Sequence, residues 1–208
     1  MRPDRPFLIA LTGGIASGKS LAADWFRNKG FRVVDSDLLG HNALRQKDVV
    51  EKIKLKFGEE VFHQDEIDRK VLGELIFSDA EARQFINRLL HPVIIKCLKK
   101  IVTETEEEYL IIEIPLLFET NLEDCFDLTI NISASEELRI ERLHSTRGID
   151  RHEAETRIKS QLSEQERVAR ADVNIINDST PEIFQDRLEK LIMSFGERKF
   201  KDIRILPD

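Results

Sequence analysis

The apolar positions fall into short runs separated by amphipathic stretches, and their spacing predicts the elements. Phe7 to Leu11 is a continuous apolar run that stops at Thr12-Gly13-Gly14, the pattern of a fully buried strand. From Lys19 to Lys29, Leu21, Ala22, Trp25 and Phe26 recur at helical spacing, and Gly30 is a suitable stop. Phe31 to Val34 predicts a second strand, closed by Asp35-Ser36-Asp37. Strand, glycine loop, helix and strand make a βαβ opening, which argues for a parallel sheet. Tyr109 to Ile114, Phe126 to Ile132 and Val173 to Ile176 predict three more strands. Ser135 to Arg170 predicts a pair of arginine-rich helices, and Pro181 to Phe195 a last amphipathic helix.

Residues 38 to 108 are mostly helical by pattern and highly charged, with no convincing further strand. Gly58, the stretch Asp65 to Asp68 and the His91-Pro92 pair punctuate them. So long an excursion between two strands predicts an inserted cap or substrate domain. Leu89, Leu90, Val93 and Ile94 flank His91-Pro92, which predicts a helix start with proline at its first position. A lone histidine there is more often a structural hydrogen-bonder than a catalyst. The tail from Gly196 carries Arg198, Lys199, Lys201 and Arg204 and is expected to fray.

Composition narrows the class. The 208 residues are 41% hydrophobic and 34% charged, as in a globular protein that builds its own core. Lys and Arg number 32 against 39 Asp and Glu, a formal net charge of -7, so no nucleic-acid partner held by general electrostatics is expected. No membrane association is expected either. The most apolar stretch, Tyr109 to Phe118, is broken by Glu113 and Pro115, and a membrane helix needs ~18 apolar residues. Phe7 to Leu11 is shorter than the ~7–15 residues of a secretory signal core, which predicts a cytoplasmic protein. Cys97 and Cys125 fit no disulfide framework or metal spacing, in keeping with a reducing compartment.

Gly13-Gly14-Ile15-Ala16-Ser17-Gly18-Lys19-Ser20 carries the main chemical signal, matching G-x-x-x-x-G-K-[ST] between a predicted strand and a predicted helix. Glycines let the backbone curl into a nest of N–H groups that binds phosphate oxygens. The helix adds its positive end. Lys19 can reach the β- and γ-phosphates, and the Ser20 hydroxyl can ligate Mg²⁺. The loop therefore predicts a nucleoside triphosphate with Mg²⁺ and leaves open what is done with it.

Asp35 and Asp37 follow the second strand, at the end of a parallel sheet where ligands collect. A carboxylate there could orient an acceptor hydroxyl and take its proton, or hold Mg²⁺ through water. Asp-Ser-Asp is equally good turn chemistry. Glu113 ends Leu-Ile-Ile-Glu as either the acid of a Walker B strand or a strand-end charge facing solvent. Arg139, Arg142, Arg147, Arg151, Arg157, Arg167 and Arg170 crowd one helical stretch. Arginine suits phosphate recognition, but Glu153-Arg157 and Glu166-Arg170 have ion-pair spacing. Most of these arginines are expected to serve ion pairs and one or two to serve function. Arg142, with no acid three or four positions away, is the freer one.

ALTGGIASGKS at the start, DSD at 35–37, IDR at 67–69, HP at 91–92, IPLLFE at 114–119 and Gln161…Ala171-Asp172…Asn177 resemble the dephospho-CoA kinase family in order and spacing. The resemblance runs from Leu8 to about Ser179. It implies ATP-dependent phosphorylation of the ribose 3′-hydroxyl of dephospho-CoA, the last step of coenzyme A synthesis. It implies an α/β fold, the P-loop kinase three-layer sandwich with a five-stranded parallel sheet, plus a helical substrate domain and a helical lid. The core would be 1–37, 109–135 and 171–208, the substrate domain 38–108 and the lid 136–170. Carried over by position, Asp37 matches the general base, and Lys19 and Ser20 the phosphate and Mg²⁺ contacts, with Asp37 or Glu113 reaching the metal through water. The loop from Gly13 through Gly14, Ile15, Ala16, Ser17 and Gly18 to Leu21 would bind the nucleotide, with Asn177 near the adenine. Asp35, Arg69, His91 and Glu119 would face dephospho-CoA, and Arg142 and Arg147 would act from the lid. A monomer or small homo-oligomer is expected.

Several positions depart from the family pattern. Ala16 and Ser179 stand where glycine is usual, Leu21 where threonine is, and Glu113 where aspartate is. Counting back from Gln161, the lid arginine position falls on Thr146, and Arg147 is one residue late. A helix-end adjustment is expected to bring Arg147 in. If Ala16 needs φ > 0, its side chain costs about 1 kcal/mol. Rival readings are another small-molecule kinase on the same core, a nucleotide switch, and a catalytically weakened relative. Against the switch, Asn28-Lys29-Gly30-Phe31 fails the guanine-recognition pattern N-K-x-D at its last position.

Overall fold

A computed structural model describes residues 5–64, 66–204 and 206. Residues 1–4, Asp65 of the expected break at 65–68, and Ile205, Pro207 and Asp208 of the basic tail lie outside the described residues. In chain order the elements are β1 (Phe7–Gly13), α1 (Lys19–Asn28), β2 (Arg32–Asp35), α2 (Ser36–Ala43), α3 (Lys47–Phe57), β3 (Phe62–His63), β4 (Glu66–Ile67), α4 (Arg69–Ser78) and α5 (Ala80–Glu104). Then follow β5 (Tyr109–Glu113), β6 (Leu128–Ser133), α6 (Glu136–Arg147), α7 (Arg151–Lys159), α8 (Glu164–Arg170), β7 (Val173–Ile176) and α9 (Pro181–Met193). Among the described residues no helix is long and apolar enough to cross a membrane.

The chain forms two compact units. The first holds the described residues through Asp35 and from Thr105 to Arg204. Its sheet has the order β2-β5-β1-β6-β7, with every pair parallel. β1 and β6 are buried at every position, as parallel strands covered on both faces must be. Ala22, Ala23 and Phe26 of α1 and Phe184, Leu188 and Leu191 of α9 pack with Phe7, Ile9, Leu11, Ile130 and Ile132 in one core. The strands pair in a register that sets Leu11 beside Glu113 and Glu113 beside Asp35, so the carboxylates collect where the glycine loop leaves β1.

The second unit, Ser36–Glu104 with Leu206, has its own core of Val49, Ile53, Val61, Leu72 and Ile86. Here the structure corrects two expectations. β3 and β4 form a small antiparallel hairpin where no strand was expected; it stays apart from the main sheet. Pro92 lies inside the 25-residue helix α5 rather than at a helix start. An interior proline costs about 3 kcal/mol. Burial of Phe85, Leu89, Leu90 and Val93 against that core, on both sides of Pro92, outweighs it.

The sheet unit corrects three more. The expected helix pair over 135–170 is three helices, because Gly148 with φ +66 ends α6 and Ser163 opens α8 with a capping box. Arg170 does not pair with Glu166, whose carboxylate is engaged by Ser163; it pairs with Glu123. The basic tail does not fray up to Arg204. Phe200 packs edge-on against Phe7 at 5.3 Å, Lys201 Nζ donates to Asp172 at 2.7 Å, and Arg204 N–H donates to the Asp124 carbonyl at 2.8 Å. Arg157 and Glu153 do form the expected ion pair, at 2.6 Å.

Candidate active site

β1 ends at Gly13, and from the buried Gly13 and Gly14 the loop turns back at once. Ser17 N–H donates to the Gly14 carbonyl at 3.1 Å, closing a tight turn over Ile15 and Ala16. Ala16 sits at φ +60 in the left-handed region, where a side chain is strained. Gly18 caps α1 at φ +98, and a Cβ there would fall inside the Asn177 amide. A Cβ on Gly14 would lie 2.6 Å from an Arg139 guanidinium nitrogen and 2.7 Å from one of Arg167. Only a loop without these side chains fits this space.

Ala16→Gly removes the left-handed strain and adds unfolded-chain entropy. The net expectation is a stabilisation of about 0.5–1 kcal/mol. Urea unfolding of the two proteins measures it, and a variant less stable than the wild type by about 0.4–1 kcal/mol, the entropic loss alone, would mean that the turn is unstrained.

Lys19, in the first turn of α1, reaches back across the loop to form an ion pair with Glu113. Glu113 is buried, and Arg27 lies 3.8 Å from its other oxygen. It is therefore not a charge facing solvent. Ser20 is exposed in the same first turn of α1 as Lys19, and Leu21 is 51% exposed. Asn177, directly after β7, is buried; its Nδ2 donates to the Ser17 carbonyl at 2.8 Å. Arg142 Nη1 donates to the carbonyls of Ala16 (3.3 Å) and Ser17 (3.2 Å), and its Nη2 to that of Asn177 (2.9 Å). Burial lowers the Arg142 pKa, against the pull of Glu141.

Arg147 is exposed in the last turn of α6, which stays helical to its end; the expected helix-end adjustment is absent. The Thr146 hydroxyl donates to the Arg142 carbonyl at 2.6 Å. Glu119 is exposed and accepts from Leu162 N–H at 3.2 Å, in the linker between α7 and α8.

Asp35 ends β2, and Ser36 and Asp37 begin α2 without an intervening turn. Asp37 is exposed in the first helical turn, where acidic side chains suit the helix dipole. Within the second unit it lines a hollow of about 360 Å³ together with His41, Arg69, Asn87, Leu90 and Ile94. Arg69, placed by the Asp68 cap at the head of α4, also lines an adjoining hollow of about 320 Å³ with Arg45. His91 is half-buried in α5, whose wall of the first hollow is Ile86, Asn87, Leu90 and Ile94.

Arg139 and Arg167 escape the sequence reading. Both are 2% exposed, and Arg139 Nε donates to the Ile15 carbonyl at 2.8 Å. Burial lowers the Arg139 pKa most, followed by the nearby Arg167 charge, against Glu164 and Glu136. Ion-pair spacing disguises them among surface arginines. The available signal is that Arg139 shares a helix face with Ile140 and Leu143, which are buried.

Among the described residues no group of three His, Cys, Asp or Glu side chains could hold a metal. Nucleotide-bound Mg²⁺ keeps several waters and takes only one or two protein oxygens beside the phosphates, so the Ser20 hydroxyl and a single carboxylate fit its needs.

This sheet order with a phosphate loop between its central strand and first helix defines the chain as a P-loop kinase. A family model described as dephospho-CoA kinase matches residues 7–182. The dephospho-CoA kinase of Lactobacillus acidophilus is 37% identical, over 92% of this chain and 98% of its own. The chain belongs to the dephospho-CoA kinase family. Among solved structures, a Thermus thermophilus protein superposes with a TM-score of 0.84 at 31% identity, over 92% of this chain and 98% of that one. The dephospho-CoA kinase from Campylobacter jejuni gives 0.70 at 25% identity, with the same coverage.

Proposed function

We propose that the chain transfers the γ-phosphoryl group of ATP to the ribose 3′-hydroxyl of dephospho-CoA, releasing coenzyme A and ADP. The observation that carries this reading is the loop Gly13–Ser20 with its Lys19–Glu113 pair, in a chain matched to the family over 7–182. The 3′-oxygen attacks the γ-phosphorus in line as the bond to the bridging β,γ-oxygen breaks. Asp37 orients the hydroxyl and receives its proton. Lys19 exchanges part of its contact with Glu113 for phosphate oxygens and spreads their charge. Ser20, with Asp37 or Glu113 through water, would hold Mg²⁺, which would supply charge neutralisation to the phosphates.

The second unit is the acceptor domain. Arg69 and Arg45 supply charge for the anionic groups of dephospho-CoA, with Asp35, His91 and Glu119 as further contacts. Residues 136–170 act as a lid that excludes water and so protects ATP from hydrolysis. Arg147 is the lid's exposed cation for the transition state, and Arg142 and Asn177 hold the loop. A cytoplasmic monomer or small homo-oligomer suits this role.

ADP release from Mg·ATP with and without dephospho-CoA tests the function. Strong stimulation is expected, with the new phosphate on the 3′-oxygen by phosphorus NMR. ATP turnover indifferent to dephospho-CoA would assign another acceptor. Tight binding of both ligands without turnover would mark a weakened relative and point to Thr146.

A further inference from the structure

The phosphate loop is gripped along one side. Three successive carbonyls accept hydrogen bonds: Ile15 from Arg139, Ala16 from Arg142, and Ser17 from Arg142 and Asn177. Gln161 Oε1 takes the Ile15 N–H at 2.8 Å, so Ile15 is held by both of its backbone polar groups. In a trans peptide the C=O and the following N–H point in opposite directions. Drawing the carbonyls of residues 15 and 17 to the gripped side therefore turns the N–H groups of Ala16 and Gly18 to the other, where a phosphate needs donors.

The grip is anchored in the sheet. Glu164 lies between the two buried guanidiniums, 3.6 Å from Arg139 and 2.9 Å from Arg167. Its other oxygen accepts from Asn131 Nδ2 at 3.0 Å, and Asn131 is fully buried in β6. Arg139 Nη2 also donates to Gln161 Oε1 at 3.4 Å, which ties the two ends of the grip together. Ala16, next to Ile15, is the strained residue of the turn at φ +60. Without the grip, an alanine at this position would relax toward φ < 0 and carry its N–H and carbonyl with it.

We infer that Arg139 and Gln161 are positioning residues for nucleotide binding, which hold Ile15 so that the strained Ala16 turn keeps the loop in its phosphate-accepting shape. This rests only on the loop binding ATP and not on which acceptor is used. Arg139→Gln is a suitable probe because Glu164 keeps Arg167 as its partner. Calorimetric titration with Mg·ATP is expected to show binding about tenfold weaker in Arg139→Gln. Gln161→Leu, which removes the acceptor that Ile15 N–H shares with Arg139 Nη2, is expected to lose several-fold. A glycine adopts φ +60 without help, so the Arg139→Gln change should cost less than about threefold when made in the Ala16→Gly protein. A role in folding alone would lower the melting temperature and leave the dissociation constant of correctly folded protein unmoved. Unchanged affinity in both single variants would overturn the inference. So would a loss in the Ala16→Gly background equal to that in the wild type, since the grip would then not act through the turn. If Arg139→Gln does not fold, Gln161→Leu, alone and with Ala16→Gly, decides the question by the same comparison.

Discussion

Replacing Asp37 by asparagine is expected to lower kcat by about 10²–10⁴ while leaving the affinity for Mg·ATP near that of the wild type. The amide keeps the size and one oxygen of the carboxylate, so it can still orient a hydroxyl. It cannot accept the proton. Asp37 belongs to the first turn of α2, outside the phosphate loop and its Lys19–Glu113 pair. Nucleotide affinity should therefore survive, and the loss should fall on the chemical step. Single-turnover measurement of phosphoryl transfer at saturating ATP and dephospho-CoA separates this from slow product release. A rate within about threefold of the wild type would remove Asp37 from the role of proton acceptor, because general-base catalysis is worth far more. A matching loss of Mg·ATP affinity would recast it as a metal contact.

The sequence made the core of this site legible and its surroundings much less so. The phosphate loop announces itself because each position answers a local demand: glycines for curvature, lysine for reach, serine for the metal. The central strands are legible because a parallel sheet covered on both faces needs unbroken apolar runs. Phe7 to Leu11 and Leu110 to Ile112 are such runs. What stays hidden depends on tertiary context. Pro92 reads as a helix start by local rules, yet the apolar face on both sides of it carries α5 straight through. Arg170 has an acid at helical spacing and pairs instead with Glu123, 47 residues away in the chain. Arg139 and Arg167 look like solvated charges, and only the packing of their guanidiniums against the phosphate loop reveals them as buried. Local chemistry is readable from a chain; the choice among equally good partners is made by the fold.

Lys19→Met is expected to lower kcat by about 10²–10³, since it removes a donor aimed at the charge that develops on the transferring group. The structure adds a complication that must be separated from this loss. Glu113 is buried, and Lys19 is its closest partner, with Arg27 3.8 Å away. Removing one member of a buried pair destabilises by about 3–5 kcal/mol when nothing replaces it, and Arg27 should reduce that to about 1–3 kcal/mol here. Part of any lost activity could then come from a displaced Glu113 and not from the missing ammonium. The double variant Lys19→Met/Glu113→Gln resolves the two. Neutralising Glu113 removes the unpaired charge, so stability measured by urea unfolding should return most of the way to that of the wild type. Activity should not return, because the phosphates still lack their cation. The single variant Glu113→Gln calibrates the comparison and should keep more activity than Lys19→Met. Recovery of activity in the double variant would show that Lys19 serves mainly to neutralise Glu113. Loss of activity with stability regained places the lysine's charge on the phosphoryl group itself.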